Sequence, residues 1–348
     1  MDNPQEVLDK ILSCAKKDGV SDIHVTPDYP IRVRLNGNLV PVGAFTLAAN
    51  DIDSLLEVAL SSENYARYKE DLEFDFAYNF GDYCRFRVNA FHNISGPCAV
   101  FRKIPAEIPN MKDINAPAKL LDFTKLHQGL VLVTGPTGSG KSTTLAAMIQ
   151  HINQNHQKHI LTIEDPVEFV YKSDKSLVNQ RQIDQSTKSF PNALRAALRE
   201  DPDIILVGEM RDPETIQLAL TAAETGHLVF STLHTNNAYE SINRILDVFP
   251  DGSKGLATSL LSSGLSAVVS QKLVPLKEGA GRYPIHEILV STNAVRNLIR
   301  EDSIPQIYSM IQTGRQHGMQ TMLESAEAAI AKGIIDPNIL DVLKPTKE

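Results

Sequence analysis

The chain has 348 residues, 42% of them hydrophobic, which is enough for two domains with a large buried core. A formal net charge of −8 disfavours a nucleic-acid partner, and no apolar run approaches the roughly 18 residues of a membrane-spanning helix. Three widely spaced cysteines, Cys14, Cys84 and Cys98, argue against a disulfide framework and a four-cysteine zinc site. We therefore expect a globular, cytoplasmic protein that contacts a membrane only peripherally.

The first hundred residues have the pattern of a small α+β domain. Apolar residues at helical spacing predict helices over residues 5–18 and 50–70. Alternating runs on both sides of Asn36-Gly37 predict a hairpin, because this dipeptide favours the positive φ angles of a tight turn. The predicted strands cover residues 21–25, 31–35, 39–42, 74–78 and 85–91.

The last of these strands places arginines on one face and apolar side chains on the other. The face with Arg85 and Arg87 is either a solvated sheet surface or a source of arginines that reach a nucleotide on the second domain or on a neighbouring subunit. Arg102 is a third candidate for the same role. Two prolines make the stretch 104–109 an interdomain linker, and the predicted domains are residues 1–112 and 113–348.

A glycine-rich stretch follows the apolar run 130–133 and precedes a helix predicted over about 141–155. Its glycines allow a tight turn that points N–H groups inward, and the helix directs its positive end at the same spot. Lys141 is expected to reach the β- and γ-phosphates of ATP, and Ser142 to bind Mg²⁺. The alternative is a structural turn between strand and helix. The stretch reads Gly135-Pro136-Thr137-Gly138-Ser139-Gly140-Lys141-Ser142-Thr143.

Carboxylates follow two further predicted strands. The strand 160–163 leads into Glu164-Asp165-Pro166-Val167-Glu168, which is either a site at the carboxyl end of the sheet or a surface turn. The strand 204–207 resembles a Walker B element, with Glu209 placed to orient and deprotonate the attacking water. Gly208 stands where many phosphate-loop enzymes carry an aspartate, so Mg²⁺ is expected on Ser142, the phosphates and water, with Glu164 as a further ligand.

Two histidines flank the next predicted strand. His227 and His234 are an odd number of residues apart, so on one regular strand their rings would point to opposite faces. We expect one of them to lie outside the strand, and His234 to lie on the phosphate side. For each histidine the alternative is a buried, hydrogen-bonded ring. A helix is predicted over 219–226. The apolar run at 259–270 also has a helical pattern, and a strand is predicted at 283–290. Three further helices are predicted over 292–300, 304–312 and 318–332.

Together these motifs resemble the secretion ATPase superfamily of type II secretion and type IV pili. Within it the resemblance is greatest to the PilT family of pilus-retraction ATPases, because residues 294–301 are similar to a C-terminal helix motif of that family. Accordingly we expect neither a further N-terminal domain nor a four-cysteine metal subdomain. Gln182 stands where the family usually has Glu, and it has no assigned role. The motifs that carry the resemblance are residues 135–143, 164–168, 197–212 and 226–234.

The resemblance implies an α/β chain with a RecA-like ATPase domain, a smaller PAS-like α+β domain before it and helices at the C-terminal end. It implies a homohexamer with ATP between the two domains. The implied function is pilus retraction and twitching motility, driven from the inner face of the cytoplasmic membrane through an inner-membrane platform protein. The implied site comprises an acidic box (Glu164, Asp165), a catalytic carboxylate (Glu209), a histidine box near the γ-phosphate (His227, His234) and candidate arginine fingers (Arg85, Arg87, Arg102).

Three other readings stay open. The first is a related motor on the same machine, either an accessory retraction ATPase or an assembly or secretion ATPase. The second is a RecA-like nucleic-acid translocase, which the acidic charge and the lack of a basic-aromatic stripe disfavour. The third is a scaffold that binds ATP without hydrolysing it, which Lys141, Ser142 and Glu209 disfavour. Chemistry alone does not give the direction of force, because the hydrolytic residues are the same in extension and retraction motors.

Overall fold

A computed structural model describes residues 3–81, 83–104, 107–279 and 281–343. The chain divides into two compact units, Met1–Glu107 and Ile108–Glu348. The predicted linker 104–109 includes residues 105 and 106, which lie outside the described residues. The domain boundary near residue 112 stays a prediction.

The first unit is a six-stranded antiparallel sheet with helices packed on its apolar face. The strands follow the order β3-β2-β1-β6-β5-β4 across the sheet. Its elements are α1 (Pro4–Leu12), β1 (Val20–Val25), β2 (Pro30–Leu35), β3 (Asn38–Thr46), α2 (Ala49–Ala59), α3 (Ser62–Asp71), β4 (Glu73–Phe80), β5 (Cys84–Asn93) and β6 (Gly96–Ile104).

The local signals in this unit are largely confirmed. Asn36 and Gly37 both have positive φ angles, 50° and 87°, and join β2 to β3 as predicted. In β5 Phe86 and Val88 are fully buried, whereas Arg85 and Arg87 are half-buried on the opposite face. The single helix predicted over 50–70 is wrong, since Ser61 has an extended backbone and its side chain accepts a hydrogen bond from the N–H of Asn64, which starts a second helix.

The second unit is built on a seven-stranded sheet of order β13-β12-β7-β11-β10-β8-β9. Neighbouring strands are parallel, except that β13 runs antiparallel to β12. The strands are β7 (Gly129–Thr134), β8 (His159–Glu164), β9 (Leu177–Gln182), β10 (Ile204–Val207), β11 (Leu228–Leu233), β12 (Leu265–Pro275) and β13 (Arg282–Val290).

Helices cover this sheet and complete the C-terminal part of the chain. Every residue of β7, β10 and β11 is buried, which is typical of parallel strands packed on both faces. No described helix is long and apolar enough to span a membrane. The helices are α4 (Lys119–Phe123), α5 (Lys141–Asn155), α6 (Phe190–Ala197), α7 (Pro213–Glu224), α8 (Ala238–Asp247), α9 (Asp251–Gly264), α10 (Asn293–Arg300), α11 (Ile307–Thr313), α12 (Met322–Ala331) and α13 (Ile339–Leu343).

The apolar run 259–270 is not one helix. Helix α9 ends at Gly264, and β12 begins at Leu265 and lies between β13 and β7 in the sheet. A strand that is buried on both faces has no polar alternation, so its sequence cannot be told from a buried helix by periodicity. Helix α7 also starts earlier than predicted, at Pro213, because the side chain of Asp212 caps it by accepting a hydrogen bond from the N–H of Thr215.

Candidate active site

The glycine-rich loop connects the carboxyl end of β7 to the amino end of α5. Gly135, Gly138 and Gly140 all have positive φ angles, 147°, 77° and 88°. A Cβ atom on Gly135 would stand 2.3 Å from the backbone oxygen of Gln271, so no other residue fits there. The loop therefore presents backbone N–H groups at the positive end of a 15-residue helix, an arrangement that favours binding of an anion such as phosphate.

Lys141, the first residue of α5, is held inside this loop. Its ammonium donates hydrogen bonds to the backbone oxygens of Gly135, at 2.8 Å, and Pro136, at 3.1 Å. Burial lowers the pKa of Lys141, and the nearby carboxylates of Glu168 and Glu209 oppose that shift. The next residue, Ser142, is exposed, so its hydroxyl is open to a ligand at the end of the loop.

Glu209 lies just beyond the carboxyl end of β10, between a guanidinium and an imidazole. Its Oε2 atom is 2.8 Å from Nε of Arg211 and 3.8 Å from Nε2 of His234. Burial lowers the pKa of His234, and the charge of Lys141 adds to this, so the ring is mainly neutral at pH 7. The structure thus brings Glu209, His234 and Lys141 to one edge of the sheet, where a carboxylate can accept a proton from water.

Gly208 follows β10 beside the end of β8, where its N–H donates a 2.8 Å hydrogen bond to the backbone oxygen of Ile163. A Cβ atom at this position would stand 3.4 Å from Cα of Glu164. The backbone oxygen of Gly208 accepts a hydrogen bond of 2.6 Å from the hydroxyl of Thr232 on β11. A separation of 3.4 Å is an ordinary van der Waals contact, so space alone does not require glycine at position 208.

Glu164 ends β8 with its side chain largely buried. Its Oε1 atom accepts hydrogen bonds from the hydroxyl of Thr162, at 2.7 Å, and from Nε2 of Gln180, at 3.3 Å. Burial raises the pKa of Glu164 to about 7, because the two hydrogen bonds only partly compensate for the loss of water. Asp165, its predicted partner in the acidic box, is exposed.

The raised pKa of Glu164 predicts a pH-dependent stability. The folded chain binds this proton more tightly than the unfolded chain, whose pKa is near 4.5, so the free energy of unfolding falls as the pH rises from about 4.5 to 7. Glu164→Gln removes that dependence. Relative to wild type, the variant should gain about 2 kcal/mol more stability at pH 8 than at pH 5.5. Urea unfolding of both proteins at pH 5.5 and pH 8 measures their free energies of unfolding. A difference between variant and wild type that is the same at both pH values would contradict the burial argument.

His227 lies at the opposite edge of the sheet from the loop. It precedes β11, where Leu228 pairs with Gly129 at the start of β7, and its Nδ1 atom is 3.1 Å from the backbone oxygen of Ala222. Both histidines therefore lie outside the strand, one at each end. Within this chain the structure does not bring His227 together with His234, so the two do not form one cluster beside the loop of the same chain.

The three candidate arginine fingers share one face of the first unit. Arg87 lies directly opposite Arg102 on β6, whose Nε atom donates a 2.9 Å hydrogen bond to the carboxylate of Asp22. Burial alone would raise the pKa of Asp22, but the hydrogen bonds from Arg102 and Ser21 outweigh it and hold the pKa below its usual value. Arg85 is half-buried on the same face. Their role as fingers stays a prediction.

Two residues of this site escaped the sequence analysis. Arg211 forms the ion pair with Glu209, and Gln271, on β12, contacts the glycine-rich loop. Gln271 is a polar residue in a strand whose neighbours are mostly apolar and buried, and that contrast is the signal that could have identified it. Arg211 carried no comparable signal, because an exposed arginine after a strand is ordinary.

A phosphate-binding loop on a parallel sheet, with a carboxylate and an imidazole on neighbouring strands, defines a nucleoside-triphosphate-binding domain of the P-loop class. The chain belongs to the type II/IV secretion system protein family, whose model matches residues 3–343. It is 52% identical to a twitching motility protein of Neisseria gonorrhoeae, over 88% of this chain and 82% of that protein.

A second relative is the type IV pilus retraction ATPase PilT of Pseudomonas aeruginosa, which is 48% identical over 94% of this chain and 95% of its own length. Among solved structures, the pilus retraction motor PilT with bound ADP superposes with a TM-score of 0.86 at 43% identity and covers 97% of each chain. The predicted α/β fold and the resemblance to the PilT family of ATPases are thereby confirmed.

Proposed function

We propose that this chain is the ATP-hydrolysing motor that retracts type IV pili and so drives twitching motility. The observation that carries the proposal is the position of Glu209, beside His234 and near the ammonium of Lys141, at the edge of the sheet where the phosphate loop opens. The high identity to a retraction ATPase over nearly the whole chain supports retraction rather than assembly. The sequence motif at 294–301, which forms most of α10 and its C-cap residue Glu301, supports the same choice.

The chemistry follows from the groups around the loop. The backbone N–H groups and the ammonium of Lys141 hold the β- and γ-phosphates of ATP. Glu209 orients a water molecule and accepts its proton as the oxygen attacks the γ-phosphorus. The bond from that phosphorus to the bridging oxygen then breaks, which leaves ADP and phosphate. Neutral His234 is placed to donate a hydrogen bond to Glu209 or to the phosphate.

The residues at the loop also suit Mg²⁺, which neutralises phosphate charge when it is bound. Ser142 offers an exposed hydroxyl, and Glu164 offers a carboxylate oxygen from β8. Among residues 3–81, 83–104, 107–279 and 281–343, no group of three or more His, Cys, Asp or Glu side chains could hold a metal. Proteins often bind Mg²⁺ through one or two side chains together with the nucleotide phosphates.

The proposal extends to assembly and location. We place the motor in a homohexamer at the inner face of the cytoplasmic membrane, where an inner-membrane platform protein connects it to the pilus. Motion arises because a nucleotide contact that is made on binding and lost after hydrolysis can shift rigid bodies relative to each other. Arg85, Arg87 and Arg102 remain the candidates for arginines that contact the nucleotide.

Deletion of the gene tests the direction of force. A strain that lacks the chain should carry more surface pili than its parent and should not twitch, because assembly continues without retraction. Electron microscopy counts the pili and a subsurface stab assay measures twitching. Complementation with the wild-type chain should restore both properties, and complementation with Lys141→Ala should restore neither. A bald deletion strain would contradict retraction and favour an assembly ATPase.

A further inference from the structure

Gln271 connects two separate parts of the nucleotide-binding element. It lies on β12, next to β7, with only 3% of its surface exposed. Its Nε2 atom donates a 2.6 Å hydrogen bond to the backbone oxygen of Ser139, in the loop. Its Oε1 atom accepts a 2.7 Å hydrogen bond from the hydroxyl of Thr144, in the first turn of α5. One amide group therefore holds the loop and the helix at a fixed distance.

The loop is packed against this residue so tightly that two of its glycines have no space for a side chain. A Cβ atom on Gly140 would stand 2.9 Å from Nε2 of Gln271, and one on Gly135 would stand 2.3 Å from its backbone oxygen. Arg282, at the start of β13, adds a hydrogen bond of 3.3 Å from Nη1 to the backbone oxygen of Gly138. The β12–β13 pair thus contacts the loop from both strands.

The hydrogen bond to Ser139 also sets the direction of a backbone donor. The carbonyl of Ser139 and the N–H of Gly140 belong to one planar trans peptide group, so they point in opposite directions. Because the carbonyl points at Gln271, the N–H of Gly140 points away from β12, to the other side of the loop. Without the amide of Gln271, this peptide group can rotate, and a rotated N–H no longer faces a bound phosphate.

We propose that Gln271 is a positioning residue for phosphate binding, which holds the Ser139–Gly140 peptide and the first turn of α5 in the orientation that nucleotide requires. The inference rests on the proposed function, since it assumes that the loop binds ATP. The side-chain amide of glutamine carries a donor and an acceptor on one carbon atom, whereas an ionised carboxylate of the same length can only accept. Methionine fills a similar volume but leaves both buried partners without a hydrogen bond.

The test compares nucleotide binding and turnover in Gln271→Met, Thr144→Val and the double variant. Gln271→Met should raise the Kd for ADP and the KM for ATP by about tenfold and change kcat less than about twofold. The phosphate contact that the Gly140 N–H would lose is made equally to substrate and transition state. Thr144→Val keeps the hydrogen bond from Gln271 to Ser139 and should raise the same Kd and KM by about threefold. The double variant should bind ADP no more weakly than Gln271→Met does, since both changes disrupt the same connection between loop and helix through Gln271.

Asn153→Leu is the matched control. The amide of Asn153 is also buried, donates to the backbone oxygen of Lys172 and accepts from the N–H of Asp174, but it lies twelve residues along α5 from Lys141. This variant should bind ADP as wild type does. A folded Gln271→Met protein with wild-type Kd and KM would overturn the inference. If that variant does not fold, wild-type ADP affinity in Thr144→Val would overturn it equally. Wild-type protein that binds neither ADP nor ATP would instead overturn the proposed function.

Discussion

Replacing Glu209 by glutamine should lower the rate of ATP hydrolysis by about 10²–10⁴-fold, because glutamine keeps the size of the side chain but cannot accept a proton from water. Affinity for ATP should stay within a few-fold of wild type, since Glu209 contacts Arg211 and His234 rather than the loop. Steady-state release of phosphate measures the rate, and titration with ATP measures the affinity.

Glu214→Gln is a suitable control for this variant. Glu214 is also a glutamate near the end of β10, but it is exposed and pairs with Arg195 on the surface. Removing an exposed ion pair changes stability by at most about 1 kcal/mol, so turnover should be unchanged. Wild-type turnover in Glu209→Gln would remove Glu209 from its proposed role.

Replacing Lys141 by alanine should act on binding itself. The buried ammonium is held at the start of the loop by two backbone oxygens, beside the backbone N–H groups that we propose bind phosphate. Hydrogen bonds between charged groups contribute about 1.5–3 kcal/mol each, so the loss of contacts to two phosphates should weaken binding of ATP by at least about 100-fold. Isothermal titration calorimetry measures the change.

The control for the lysine variant is Lys158→Ala. Lys158 forms a 2.8 Å ion pair with Asp203 at the amino edge of the same sheet, away from the loop. Its removal should leave ATP affinity within about twofold of wild type. Equal affinity in wild type and Lys141→Ala, with both proteins folded, would contradict phosphate binding by this loop.

Features set by neighbouring residues could be predicted from the sequence. The positive φ angles at Gly135, Gly138 and Gly140 belong to a motif whose glycines are adjacent in the chain. The alternation in β5 and the turn at Asn36-Gly37 have the same local origin. Each depends on a period of two or on the steric freedom of one residue, so the chain itself contains the information.

Features set by distant contacts could not be predicted. Strand β12 is buried on both faces, so its apolar run gives no period, and β9 is a short polar strand at the edge of the sheet. The clamp by Gln271 joins residues that are far apart in sequence, and only the parallel order of β12 and β7 brings them together. The family resemblance grouped His227 and His234 in one histidine box, but within this chain the whole length of β11 separates them.

The parallel arrangement of the strands also explains why the site residues lie at one edge of the sheet. Strands β7, β11 and β10 are neighbours, and each ends at one edge of the sheet. The loop, His234 and Glu209 follow these strands in turn, so three separate segments end at the same edge of the sheet, and His234 lies 3.8 Å from Glu209. Glu164, at the end of β8, extends this row by one strand.

Binding of ATP in the presence of Mg²⁺ is the measurement that tests the central claim most directly. Calorimetric titration of MgATP into the Glu209→Gln protein, which should not consume the ligand, is predicted to give saturable binding of up to one nucleotide per chain. The same titration into Lys141→Ala is predicted to give no saturation over that range. A folded protein that takes up no MgATP at millimolar concentration would contradict a nucleotide-driven motor.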